Sequence, residues 1–178
     1  MRQLLYALLA LSLAACGEKP KATPANLLAS NDFESVDGWL GGVNPTSLTK
    51  DKAHSGRYSV KVSPESEYSL GYDNPFGKLS ASKLKKIKLR AWVNLPNGKS
   101  EAILVAAVPN STAGAKPLLW EGVKLRDKVK SYNKWVEVEK EITLPDNITY
   151  NDKINAYLWS AGSSDPVYMD DMSIEKVE

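Results

Sequence analysis

The sequence predicts an all-β protein, a two-sheet antiparallel β-sandwich of the jelly-roll kind, and three observations carry that prediction. Six stretches, "RYSVKV", "KIKLRAWVNL", "EAILVAAV", "WVEVEKEITL", "KINAYLW" and "VYMDDMSI", are rich in β-branched and aromatic residues, and several alternate with period two. Turn clusters separate them: "VDG", "LPNGKS", "NSTAGAKP", "LPDN" and "AGSSDP", so hairpins are the expected connections. Beyond the first fifteen residues no window carries a helical stripe, and strands without helices bury their apolar faces only against a second sheet. No period of the length used by repeat proteins recurs.

The chain divides into three parts. Residues 1–15 open with Arg2 and continue with "LLYALLALSLAA", an apolar run shorter than the roughly 20 residues a membrane-spanning helix needs, which reads as a secretory leader. Leu13, Ala14 and Ala15 form a small-residue cleavage site directly before Cys16, the only cysteine, which therefore has no disulfide partner in the chain. This ending resembles the lipobox of bacterial lipoproteins. The resemblance implies that the leader is removed and that Cys16 becomes the lipidated N-terminus; two or three acyl chains meet the two-signal requirement for stable membrane anchoring. Gly17 rather than Asp after the cysteine implies a place in the bacterial cell envelope at the outer membrane, with the leaflet left open. Residues 16–25, "CGEKPKATPA", are a flexible tether, too polar and Pro-rich to fold. Residues 26–178 are one domain with room for a proper core. Arg2 is the only charged residue of the leader, so the remainder carries 22 basic against 21 acidic side chains, a balance that gives no reason to expect nucleic acid.

Alternation assigns faces within the strands. In residues 86–94, Ile87, Leu89, Ala91 and Val93 point into the core, and Lys86, Lys88, Arg90 and Trp92 point out. Val136, Val138, Ile142 and Leu144 likewise oppose Trp135, Glu137, Glu139 and Glu141. One strand thus shows a basic ladder and another an acidic one. Two readings follow: solvated faces that pair across strands, or a cationic surface for an anionic glycan with Trp92 as its stacking platform. In "INAYLW", Asn155, Tyr157 and Trp159 share one face if Ile154, Ala156 and Leu158 face inward.

Four segments, "NLLASNDFESVDGW", "AHSGRYSVKV", "KWVEVEKEITLP" and "VYMDDMSI", in that order and at their spacings, resemble the non-catalytic carbohydrate-binding modules of the family 4/9/22 type. Those are galactose-binding-like jelly rolls. With the lipobox, and with "NAYLWS" just ahead of the last strand, the whole is similar to single-domain envelope lipoproteins of Bacteroidetes-type bacteria. The resemblance implies one structural calcium, held by the carboxylates of Glu34 and of Asp170 or Asp171, with backbone carbonyls near Asp32 and in the turn from Ser55 to Arg57. Hard oxygen donors suit that ion. It also implies that a polysaccharide or oligosaccharide stacks on exposed aromatic rings while polar neighbours orient its hydroxyls. The candidates are Trp159, Tyr157 and Asn155, with Trp120 from a neighbouring strand and Trp92 beside Arg90. Trp39 and Trp135 stand where the family uses tryptophan for packing.

No arrangement marks an enzyme. The single histidine, His54, lies in a turn of scaffold type, no base accompanies a nucleophile, and no motif marks a carboxylate pair for glycoside hydrolysis among Glu121, Glu137 and Glu139. The reading is a lipid-anchored, non-catalytic glycan-binding module of the envelope. Its alternative is a structural or protein-interaction jelly roll that has lost the sugar and meets an envelope protein instead.

Overall fold

The computed structural model describes residues 24–39 and 46–177, so the leader, Cys16 and most of the tether lie outside the described residues. Among the described residues ten strands form two antiparallel sheets packed face to face. The first sheet holds β1 (Leu27–Asn31), β2 (Leu48–Thr49), β3 (Ser59–Val62), β5 (Lys86–Asn94), β8 (Trp135–Thr143) and β10 (Val167–Val177), in the order β2-β3-β10-β5-β8. β1 pairs with the second half of β10, from Met172 to Glu175, and β3 with its first half. The second sheet has the order β4-β9-β6-β7, from β4 (Tyr72–Pro75), β6 (Ile103–Val108), β7 (Leu119–Lys124) and β9 (Lys153–Trp159).

The expected alternation builds the core. Ile87, Leu89, Ala91 and Val93 of β5 meet Leu104, Ala106 and Val108 of β6 and Ile154, Ala156 and Leu158 of β9 in one buried cluster. In β10 a bulge at Asp171, whose φ of 46° lies in the left-handed region, resets the period. Asp170 therefore stays on the outer side while Met172 and Ile174 turn inward with no exposure. Trp39 is also core, 7% exposed, with its edge against Tyr72 at 5.2 Å and Phe33 at 6.2 Å.

Two expectations need correction. Hairpins are the exception: among consecutive strands only β2–β3 and β6–β7 pair, and most other turns carry the chain from one sheet to the other. Turn residues reveal that the chain reverses, but not whether the next strand pairs or crosses the sandwich. The described residues also hold two single helical turns, α1 (Phe76–Leu79), which buries Phe76 and Leu79, and α2 (Leu125–Lys128), which buries Leu125.

Candidate functional site

The two outer faces of the sandwich differ, and the difference locates the site. On the first sheet, Lys86, Lys88 and Arg90 of β5 lie between the acidic side chains of β8 and β10. Arg90 reaches Glu139 at 3.3 Å, Glu137 at 3.5 Å and Glu175 at 3.7 Å; Lys86 reaches Glu141 at 3.7 Å; Lys88 reaches Glu139 and Glu141 at 3.9 Å. The ladders pair across strands. Each such exposed pair contributes at most about 1 kcal/mol, so their main effect is to cancel charge. Trp92 is covered as well, because the segment 50–58 crosses this face and stacks the His54 ring on the indole at 3.9 Å and 13°. His54 also packs edge-on to Trp135, and Lys52 lies over Tyr168 while donating to Asn133 Oδ1 at 2.5 Å. Trp92 and Arg90 thus sit on the face opposite to the other candidates.

Three carboxylates fasten that crossing segment. Asp170, fully buried, accepts the backbone N–H groups of His54 at 2.7 Å and Ser55 at 3.2 Å on Oδ2, and its neighbour's N–H on Oδ1. Asp171 accepts from the Ser55 hydroxyl at 2.8 Å and faces His54 Nδ1 at 2.5 Å. Glu34 Oε1 accepts from the N–H groups of Arg57 and Tyr58 at 2.6 and 2.7 Å, which hold its carboxyl below the usual range. Asp32 Oδ1 accepts from the Glu34 N–H at 3.1 Å. The residues that the resemblance names for calcium, Glu34, Asp170, Asp171, Asp32 and Ser55, are therefore close in space, yet the carboxylates are turned toward N–H, O–H and imidazole partners. Among the described residues no three His, Cys, Asp or Glu side chains gather as a metal site. As arranged they do not fit a calcium cage. They form a hydrogen-bonded clamp.

The outer face of the second sheet is built differently. Registry across β7, β6, β9 and β4 sets three rows on it: Trp120–Ala107–Asn155–Asp73, then Gly122–Val105–Tyr157, then Lys124–Ile103–Trp159. An isolated bridge adds Tyr68 opposite Trp159. Trp159, Tyr157, Asn155 and Trp120 thus share one face. Tyr68 joins them, its ring parallel to Trp159 within 9° at 6.3 Å and edge-on to Tyr157 at 5.8 Å. Tyr68 was not legible because "SPESEYSLGYDNP" carries Pro, Gly, Asp and Asn and reads as a turn; a period-two link from Tyr68 to Leu70 and Tyr72 is the only signal it offers.

Several contacts fix the rings. A Cβ on Gly122 would stand 2.9 Å from the Trp120 ring and 2.7 Å from Ile103, so glycine there lets the indole lie down across the sheet. Trp159 Nε1 donates to Glu67 at 3.0 Å. Burial pushes the Tyr157 phenol above its ordinary pKa, Tyr68 adds to the rise, and a hydrogen bond with Trp120 opposes it. Trp120 and Tyr68 remain 47% and 53% exposed, whereas Val105 beneath is fully covered. The Asn155 Oδ1 atom is buried and has no hydrogen-bond partner among the described residues. Glu121 does not flank Trp120 on this face: it points to the sandwich edge, where Lys140 of β8 meets it at 2.6 Å and also donates to the Gly122 carbonyl.

A jelly roll with one neutralised face and one face of ordered, exposed aromatic rings is the architecture of a glycan-binding module, and comparison with known proteins agrees. The family model for the carbohydrate binding domain of the CBM 4/9 type matches residues 25–161, and the chain belongs to that family. No curated protein matches the chain. Among solved structures it resembles the CBM22-1 xylan-binding domain of Paenibacillus barcinonensis Xyn10C, with TM-score 0.54 and 21% identity over 88% of this chain and 99% of that one. It also resembles a family 16 carbohydrate-binding module, with TM-score 0.56 and 17% identity over 86% of this chain and 100% of that one. The C-terminal family 22 module of Clostridium thermocellum Xyn10B gives TM-score 0.56 and 16% identity over 85% of this chain and 93% of that one. At these identities the structural likeness speaks for the fold.

Proposed function

We propose that this chain is a lipid-anchored, non-catalytic glycan-binding module of the bacterial cell envelope, held at the outer membrane through Cys16, with the outer face of the second sheet as its sugar platform. The observation that carries the binding site is the convergence of Trp120, Tyr157, Trp159 and Tyr68 on that one face, two of them about half exposed. Rings of this kind offer apolar faces to the C–H side of a pyranose, and Asn155 stands among them with an acceptor to spare. Anchoring rests on the leader and Cys16: Cys16→Ala is expected to abolish fatty-acid labelling, and label entering the variant would overturn it.

The binding site is tested by retention of the full chain on a panel of immobilised polysaccharides, with Trp120→Ala and Trp159→Ala beside the unaltered chain. Retention of the unaltered chain that falls on either substitution, with an unchanged melting curve, supports the platform. The second reading, an envelope protein as partner, is favoured by the covering of Val105, which leaves the aromatic face filled rather than hollow. No retention on any polysaccharide, with both variants destabilised, would transfer the site to that reading.

A further inference from the structure

The aromatic face does not end at Trp159. Lys124 lies on it in the same row, paired with Ile103, which is itself paired with Trp159. The ammonium and the indole therefore start from backbones two strand spacings apart, about 10 Å, within the span of two or three sugar rings. From Lys124 the chain turns through α2 toward β8 as "KLRDKVKSYNK", with five basic residues against the single acid Asp127. All five, Lys124, Arg126, Lys128, Lys130 and Lys134, are exposed. Arg126 is paired with Glu101, and Lys130 donates to the Arg126 carbonyl at 3.5 Å. Lys124 and Lys128 have no ion-pair or side-chain hydrogen-bond partner among the described residues, and Lys134 stands beside Trp135 at the start of β8, on the first sheet.

This contrasts with the first sheet, where every cation of β5 faces a glutamate. The acids of the aromatic face are in turn already engaged: Glu67 takes the Trp159 N–H, and Asp73 faces Lys153 at 3.4 Å. Unopposed positive charge thus begins at the Lys124 end of the stacking platform and continues into α2 with Lys128. Like charges held together without counter-charges favour an anionic partner, and the adjoining rings favour one made of sugars.

We propose that the glycan bound by this face is acidic, a chain bearing uronate carboxylates or sulfate esters, whose rings stack on Trp120, Trp159 and Tyr68 while its anionic groups meet Lys124 and Lys128. This rests on the glycan-binding reading above and names its ligand class. Lys124 is the specificity-determining residue, because it alone of the two stands in register with the stacking rings.

The test uses the full chain in detergent with immobilised polygalacturonate, alginate and chondroitin sulfate, against methyl-esterified pectin and a neutral β-glucan. Acidic glycans are expected to retain the chain at least about tenfold more strongly than neutral ones. That retention is expected to fall as salt rises from about 0.01 to about 0.15 M, over which the screening length shortens from about 30 to about 8 Å. The double variant Lys124→Gln, Lys128→Gln should lose the preference and the salt dependence with an unchanged melting curve, since neither residue holds the fold. Equal retention on neutral and acidic glycans, indifferent to salt and to the double variant, overturns the acidic assignment and leaves the glycan reading standing. No retention on any glycan removes both, and stronger capture of single-stranded DNA than of any glycan overturns the assignment in favour of nucleic acid.

Discussion

Asp170 gives the most quantitative test of how the first sheet is closed. Its carboxylate has no solvent exposure, and burial pushes its pKa up to about 6 from an ordinary 3.8, against the hydrogen bonds from His54, Ser55 and Asp171 and with the Asp171 charge adding to the rise. A rise of roughly two pKa units corresponds to about 3 kcal/mol between the two protonation states. The folded state holds this proton more tightly than the unfolded chain. Its contribution to stability is therefore full below the unfolded value and is lost as pH rises through the folded value. Glu34 acts in the opposite sense: its depressed pKa contributes stability above an ordinary 4.5 that is lost as pH falls below it. Between about pH 7 and pH 5 Asp170 is thus expected to add about 1 kcal/mol to the unfolding free energy, and about 2 by pH 4. The assay is urea unfolding of the unaltered chain and of Asp170→Asn across that range. Asparagine keeps one acceptor, cannot titrate, and turns an amide toward backbone N–H groups, so the variant should be less stable near neutrality by about 1–3 kcal/mol. The discriminating quantity is the slope, because Asp170 is the one titratable group that differs between the two proteins. Two stability curves that run parallel from pH 7 to pH 5 would refute the buried, proton-binding role of Asp170.

Two further outcomes test the scaffold. Trp39→Ala removes a buried ring that packs edge-on to Phe33 and Tyr72, and a loss of about 3–5 kcal/mol is expected in chemical unfolding; a loss below about 1 kcal/mol would mean that the ring is not part of the core. Because the carboxylates of Glu34, Asp170 and Asp171 already meet N–H, O–H or imidazole partners, chelation by EDTA is expected to leave the melting temperature unchanged. A fall reversed by added calcium would show that these oxygens turn to an ion, as the family resemblance implies.

The fold was legible because period-two alternation is a local signal. Ile87, Leu89, Ala91 and Val93 face the core as their spacing demands, and the same rule placed Asn155, Tyr157 and Trp159 together. What alternation cannot supply is the partner of each face. Trp92 and Trp120 are both outward tryptophans with polar neighbours in sequence, yet His54 lies on one and solvent on the other. The covering residue comes from a segment about forty positions away, and only the tertiary path of residues 50–58 reveals it. Short or irregular strands were hidden for a related reason. β4 reads "YDNP", three poor strand formers held in place by pairing with β9, and β7 contains Gly122, which weakens a strand by propensity but is required for Trp120 to lie flat.

The two outer faces together explain why a single domain with near-zero net charge presents one directional surface. Charges on the first sheet are cancelled row by row between β8, β5 and β10, and the clamp on residues 54–58 covers the aromatic side chains that remain there. That face keeps the β5 cations paired and the Trp92 ring under His54. On the second sheet β6 contributes Ile103, Val105 and Ala107 to the outside, aliphatic residues of a kind that water-exposed strands avoid, and the rings of Trp120, Tyr157 and Trp159 stand beside them in register. The rings are therefore held in place by the surface they cover, with little freedom left to lose when a ligand arrives. Rigidity on one face and closure on the other are the same design choice: each removes an alternative way for the domain to meet its surroundings, and what remains is a flat aromatic platform bordered at one end by Lys124.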